Sequence, residues 1–414
     1  MSRPMLADRT VFLPRMPSSH AMVTAAAFRG AGIDARPVPD SSERTLQLGR
    51  SCCSGEECFP LIITLGDFLR LLCDEGHPAE RAAFFMPTSS GPCRFGQYAD
   101  YIRMVLADRG FEAALVLSPT SENAYDGLGT GSLSLLRACW RGFVAADHLV
   151  AMLLRIRPHE VHPGAADAAF QRGIAEIVTV LEDPRTTLRL SSLRGAAERG
   201  RDALRRVETL RQPRPLIGVV GEIFCRNNAY SNMEMIRCLE RHGAECWLPG
   251  VTEWVHYTNL EEKRRIRRRG ERLSGRQLRS QIRQWVQDRD RAAIARAFAE
   301  DLVDRPEPEV GEMLSLGAPY LPSDAALGEM ALSVARAVYL HRRGVAGVVD
   351  ISPFTCMNAI VAEAVYPAVS QDCDGVPIRN FYFDGTQANL DRDVVVFLQL
   401  ARSYASRRDN VKPV

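Results

Sequence analysis

FFMPTSSGPCRFGQYADYIR, residues 84–103, is the stretch on which the fold turns. Phe84, Phe85 and Met86 read as the end of a buried strand. Small residues and two prolines then make a turn, and Tyr98, Ile102 and Val105 fall at helical spacing on an amphipathic helix. Cys93 therefore stands at a strand-to-helix crossover beside Gly91, Pro92 and Arg94.

The same alternation runs outward on both sides. TVFLPRM reads as a strand, HAMVTAAAFRGAG as a helix ending on glycine and DARPVPD as a strand. After a polar loop, LIITLGDFLRLLC is a helix, RAAFFMPT a strand, and EAALVLSPT the strand after the helix that follows Cys93. Apolar strands between helices that stop at glycine are the pattern of a parallel sheet with crossover helices. A helical segment follows, from about Ser134 to Thr209. LIGVVGEIF then opens a second alternating block: strands at AECWLPGV, VAGVVDISPF and IRNFYFDG, helices at SNMEMIRCLERHG, GEMALSVARAVYLHRRG, MNAIVAEAVYPAV and LDRDVVVFLQLARSYA. The expected class is α/β: two Rossmann-like lobes with parallel sheets and helical insertions. The lobes span residues 1–133 and 211–414, with a helical segment at 134–210 between them. A charged helical insertion lies at about 260–304.

Bulk properties limit the function classes. A chain of 414 residues with 46% hydrophobic and 25% charged residues is an ordinary globular protein, and a net charge of +2 argues neither for nor against an acidic partner. The longest apolar runs are too short to span a bilayer, and MSRPMLADRTVFLPRM has no signal-peptide core, so a cytoplasmic protein is expected. The run EEKRRIRRRGERLSGRQLRSQIR is basic. Acidic residues flank it and no aromatic platforms interleave, so a solvated face or a docking surface for an acidic partner is expected, not nucleic acid. GLGTGS, residues 127–132, matches neither phosphate-binding fingerprint and reads as a loop.

Eleven cysteines are many for a reducing compartment, and no C-x-x-C pair occurs. Four share one placement. Cys58 precedes a helix, and Cys93, Cys225 and Cys356 each follow a strand and precede a helix. Strand carboxyl ends face the ligand crevice of open α/β sheets, and a thiol at a helix N-terminus is expected to have a lowered pKa. Four thiolates from two lobes meeting across one cleft suit an iron–sulfur cluster or zinc. Cys139, Cys238, Cys73, Cys246 and Cys373 read as packing residues, whereas Cys52 and Cys53 stay open to a metal or redox role.

SGEECFPL, FFMPTSSGPCRFGQY, GEIFCRNNAYSN, EWVHYTN and PFTCMNAI, with LLRIRPHE in the middle, resemble the 2-hydroxyacyl-CoA dehydratase-like region of acyl-CoA dehydratase activase-related proteins. The resemblance covers nearly the whole chain. It implies an iron–sulfur cluster, [4Fe–4S] in type, ligated by Cys58, Cys93 and Cys356 with Cys225 as fourth ligand, or with one iron left open. Arg94, Gln97 and Tyr98, which follow Cys93, would orient a cluster sulfide or a substrate carbonyl. The implied role is low-potential one-electron chemistry in anaerobic metabolism, in a dehydratase or reductase acting on an acyl-CoA thioester. An electron-transfer or partner-binding module without its own substrate, or a structural zinc protein, are the alternatives. The sequence carries no phosphate loop, so a separate ATP-dependent activase would supply electrons. A homodimer or heterodimer is compatible with the resemblance; no nucleic acid or membrane is expected.

Overall fold

The strands of the first lobe are short, and apart from the edge strand at Ala35–Pro37 most of their residues are buried, as strands covered by helices on both faces must be. The computed structural model describes residues 6–88, 91–119, 132–270, 274–324, 328–386 and 389–411; most of GLGTGS lies outside them. In chain order the first lobe is β1 (Thr10–Leu13), α1 (Ser18–Gly30), β2 (Ala35–Pro37), α2 (Glu43–Arg50), α3 (Phe59–Cys73), β3 (Ala82–Phe85), α4 (Tyr98–Asp108) and β4 (Leu115–Leu117). Three long helices follow, α5 (Ser132–Ile156), α6 (Ala165–Glu182) and α7 (Leu190–Arg205). The second lobe opens with β5 (Leu216–Gly221), α8 (Ile223–Asn227), α9 (Met235–Arg241), β6 (Glu245–Trp247), α10 (Val251–Arg268) and α11 (Gly275–Ala295). It closes with α12 (Val310–Gly317), α13 (Glu329–Arg342), β7 (Gly347–Pro353), α14 (Met357–Asp372), β8 (Ile378–Phe383) and α15 (Leu390–Val411).

The two sheets repeat one topology. Strand orders are β2-β1-β3-β4 and β6-β5-β7-β8, with every pairing parallel. In each lobe the first and third strands are neighbours, and their connections leave in opposite directions. That reversal opens the crevice in which such sheets bind ligands. The α/β class with two Rossmann-like lobes is thus observed.

Local sequence explains the differences from expectation. The polar stretch after β2 is a helix, α2, started where the Ser42 N–H donates to the Thr45 hydroxyl at 3.1 Å. Two glycines let α2 lie against α3: a Cβ at Gly49 would stand 2.0 Å from the Ile62 carbonyl oxygen, and one at Gly66 2.0 Å from that of Thr45. The strand expected through Phe224 ends at Gly221, whose φ of 111° turns the chain into α8. The charged insertion starts earlier than expected, at Val251.

Packing joins the lobes. Leu46, Phe59, Ile62 and Ile63 of the first lobe share a core with Ile217, Val219, Cys225 and Phe383 of the second. The α5–α7 segment packs on α1, and Phe298 from beyond α11 enters the same core. Polar links cross as well. His20 Nε2 lies 2.8 Å from Asp147 Oδ1, and Asp147 caps α10 by accepting from the N–H groups of Val251 and Thr252 at 2.9 Å. Asn228 Nδ2 donates to the Arg15 carbonyl at 3.0 Å, and Arg50 to that of Asp384 at 2.7 Å. Among the described residues no helix is long and apolar enough to cross a membrane.

Candidate metal centre

Three of the four singled-out cysteines are helix N-caps with nearly one backbone conformation. Cys58 (φ −63°, ψ 137°) heads α3, Cys93 (φ −67°, ψ 133°) heads the 3₁₀ turn Arg94–Gln97, and Cys356 (φ −66°, ψ 119°) heads α14. Cys93 follows β3 and Cys356 follows β7, the third strand of each sheet, so the repeated topology puts them at equivalent crevice positions. Pro60, just inside α3, fixes the start of that helix because it lacks the N–H that would go unpaired there.

Cys225 differs. It lies inside α8, as its third residue, and not before a helix as expected. Its side chain is sealed in the core, with 0% exposure. The N-cap of α8 is Glu222, at φ −67° and ψ 132°, the conformation of the three cysteines. Gly221 sets this register: it turns at positive φ where a Cβ would meet the Ile351 carbonyl oxygen at 2.2 Å.

The thiols and Glu222 share an electrostatic environment. Burial raises the pKa of all four thiols, and the Glu222 carboxylate raises each of them further. Cys58 acts on Cys93, and Cys356 on Cys225, in the same sense. Backbone N–H groups of the first helical turn oppose this at Cys93 and Cys356, but burial outweighs them. The lowered thiol pKa expected from helix N-termini is therefore overturned. These thiols are held protonated unless a cation compensates their charge.

Beneath them is a buried polar cluster. Glu222 accepts from the N–H groups of Phe224 at 3.0 Å and Cys225 at 2.7 Å. Glu329 accepts from Ile223 N at 3.2 Å, and burial together with Glu222 pushes its carboxyl up to about 8. Arg226 is 3% exposed, and its Nε and Nη2 have no hydrogen-bond partner; its charge favours the ionised forms of Glu222, Glu329 and Asp350.

Of the residues expected to orient a ligand, Tyr98 is buried, and its hydroxyl and the Arg94 charge favour the Cys58 thiolate. Arg94 is exposed and donates to the Glu56 carbonyl, tying down the loop before Cys58; Gln97 is exposed on the same turn. Cys52 accepts from Arg109 at 3.0 Å, and burial pushes the Cys53 thiol up to about 11. Cys139, Cys238 and Cys246 are buried in helices or a strand, Cys73 ends α3 and Cys373 caps α14.

Spacing discriminates between metals. Tetrahedral zinc with Zn–S bonds of about 2.3 Å needs sulfurs about 3.8 Å apart. Among the described residues, no three of these thiols and carboxylates bring their ligand atoms within 4.8 Å of one another. These groups are not gathered closely enough for one ion. The described residues include one tighter group: Cys238, His242 and Asp391, whose ligand atoms all lie within 4.8 Å. Sequence reasoning missed Glu222, Glu329 and this triad. The signal for the triad was the Cys-x₃-His spacing, one helical turn, and for Glu222 a Gly-Glu pair closing a strand. No family model matches the sequence, and no curated protein is significantly similar to it.

Proposed function

We propose that the chain is an iron–sulfur protein whose cluster lies between the lobes, held by Cys58, Cys93 and Cys356, and that it performs low-potential one-electron chemistry on, or on the way to, an acyl-CoA thioester. The observation carrying this is the repeated N-cap geometry: three thiols in one backbone conformation, two of them at equivalent strand ends of the two sheets, all under the charge of Glu222. The donor set offers free thiols, the soft sulfur ligands that a [4Fe–4S] group takes. Such a cluster supplies a one-electron couple whose potential is set by ligand charge and burial.

At the fourth corner, the resemblance names Cys225 or an open iron. The position of Cys225 inside α8 favours packing, and the residue in the cysteine-like N-cap position is Glu222. We assign Glu222 as the residue that would complete the fourth corner; burial raises its carboxyl, and the N–H groups of Cys225 and Phe224 and the Arg226 charge oppose that. A separate ATP-dependent activase as electron donor is supported by exposed apolar residues beside Cys356: Phe354 is 58% and Ile360 52% exposed. Cytoplasmic location follows from this reading.

The test is anaerobic purification and reconstitution, with iron and acid-labile sulfide analysis and electron paramagnetic resonance of the dithionite-reduced protein. About four irons and four sulfides per chain, lost together in Cys93→Ser and Cys356→Ser, are expected. Bound zinc without sulfide, or a cluster that survives both substitutions, overturns the proposal. Change of the resonance on adding an acyl-CoA separates an enzyme from a pure electron carrier.

A further inference from the structure

The geometry points to a second, independent metal site between α9 and α15 of the second lobe, where we propose that Cys238, His242 and Asp391 bind one zinc ion. Cys238 and His242 are four residues apart, so both lie on one face of α9 and its C-terminal cap. Asp391 comes from the first turn of α15, 149 residues beyond His242. One carboxylate oxygen is the meeting point. Asp391 Oδ1 lies 2.8 Å from His242 Nε2 and 3.5 Å from Cys238 Sγ, and the three ligand atoms are mutually within 4.8 Å.

The framework around these side chains is fixed. Gly243, at φ 87°, ends α9, and Ala244 N–H returns to the Leu239 carbonyl at 3.0 Å. Arg402 of α15 donates to the His242 carbonyl at 2.7 Å, which sets the cap against the helix that supplies Asp391. Cys238, Val394 and Phe397 are buried in one core, so α9 and α15 are held together without the ion. Thiolate, imidazole and carboxylate are the ligand types zinc takes. Asp391 is 66% and His242 30% exposed on the side-chain scale, so the fourth position is open to water. Zinc entry breaks the Cys238 S–H bond, releases that proton to solvent and forms the Zn–S bond, while His242 gives up its Nε2 hydrogen by taking the Nδ1–H tautomer, with no change of oxidation state.

A competing cation is present: Arg241 Nη2 stands 3.7 Å from Asp391 Oδ1. Its side chain is 57% exposed, and its charge also favours the Cys238 thiolate. A simple acid–base pair, His242 with Asp391, would hold without the buried sulfur turned toward the same oxygen. It is that third atom, aimed from the core, that makes the group a ligand set.

Cobalt(II) is the probe, since thiolate ligation gives it a near-ultraviolet charge-transfer band and tetrahedral geometry gives intense visible bands. The background is the chain carrying Cys58→Ser, Cys93→Ser and Cys356→Ser, reduced with a non-chelating phosphine. One cobalt per chain with a thiolate band is expected, displaced by zinc and abolished by adding Cys238→Ala. Asp391→Asn, at an exposed position where folding is safe, should weaken zinc binding about tenfold or more. It should also remove the rise in melting temperature that zinc gives the parent. No cobalt bound, a band that survives Cys238→Ala, or undiminished zinc affinity in Asp391→Asn overturns the site. Iron content of the otherwise wild-type Cys238→Ala chain stays unchanged, so failure here leaves the cluster proposal standing.

Discussion

Replacing Cys225 by alanine separates the thiol that packs from those proposed to bind. The substitution removes one sulfur from a side chain with 0% exposure, among Ile217, Val219, Met235 and Leu239. Losing a buried group of about methylene size costs about 0.8 kcal/mol. A residual cavity of about 20 Å³ at about 24 cal/mol per Å³ adds about 0.5 kcal/mol. The total, about 1.3 kcal/mol, corresponds to a fall of about 3 °C if the second lobe, about 200 residues, unfolds as one unit. Serine is the poorer probe, because its hydroxyl would be buried without a partner at about 1 to 3 kcal/mol. After anaerobic reconstitution, Cys225→Ala should keep its full iron and sulfide content and the parent's resonance spectrum. Glu222→Gln should keep the iron but shift the reduction potential upward, since removing a negative charge favours the reduced cluster. Loss of one iron in Cys225→Ala, with melting temperature unchanged, would refute the reasoning and return Cys225 to the ligand set.

Asp290 has a fully buried side chain between Arg137 and Arg141, with contacts of 2.7 to 3.1 Å. Asp290→Ala should destabilise by about 3 to 5 kcal/mol, read by urea unfolding, because it strands the buried Arg141 guanidinium. The two arginines hold the Asp290 carboxyl below its ordinary value against burial, so its contribution is present above about pH 4 and disappears as pH falls through the folded pKa. Asp67 has the opposite sign: burial pushes it up to about 6 in spite of hydrogen bonds from Ser41 and Thr45. The folded chain then binds more protons than the unfolded one between about pH 4 and 6, so stability from this group falls as pH rises across that window. Asp67→Asn should therefore gain stability relative to the parent between pH 5 and pH 7; a constant difference in thermal melts would contradict this. Gly221→Ala should cost about 3 kcal/mol or more, since its Cβ would collide with Ile351 backbone and force Glu222 out of its cap. Normal melting of that variant would show that the register is not set there.

What the sequence by itself determined was the order of strands and helices. Val, Ile and Ala runs closed by Gly or Pro, as in VAGVVDISPF, leave little choice when both faces of a strand are buried. The helix N-cap places of Cys58, Cys93 and Cys356 were equally legible, because proline and small residues mark the crossovers. Glu43–Arg50 hid its helix, since only Leu46 and Leu48 are apolar in it and its close contact with α3 runs through Gly49 and Gly66. Strand order, and with it the equivalence of Cys93 and Cys356, is a property of parallel pairing between segments remote in sequence. Cys225 and Glu222 lie three residues apart, and only the backbone turn at Gly221 decides which of them heads the helix. Thiol protonation was decided by tertiary structure too. A helix N-terminus can be read locally, but burial outweighs it, and the Glu222 carboxylate that raises both Cys93 and Cys356 lies more than a hundred residues from either.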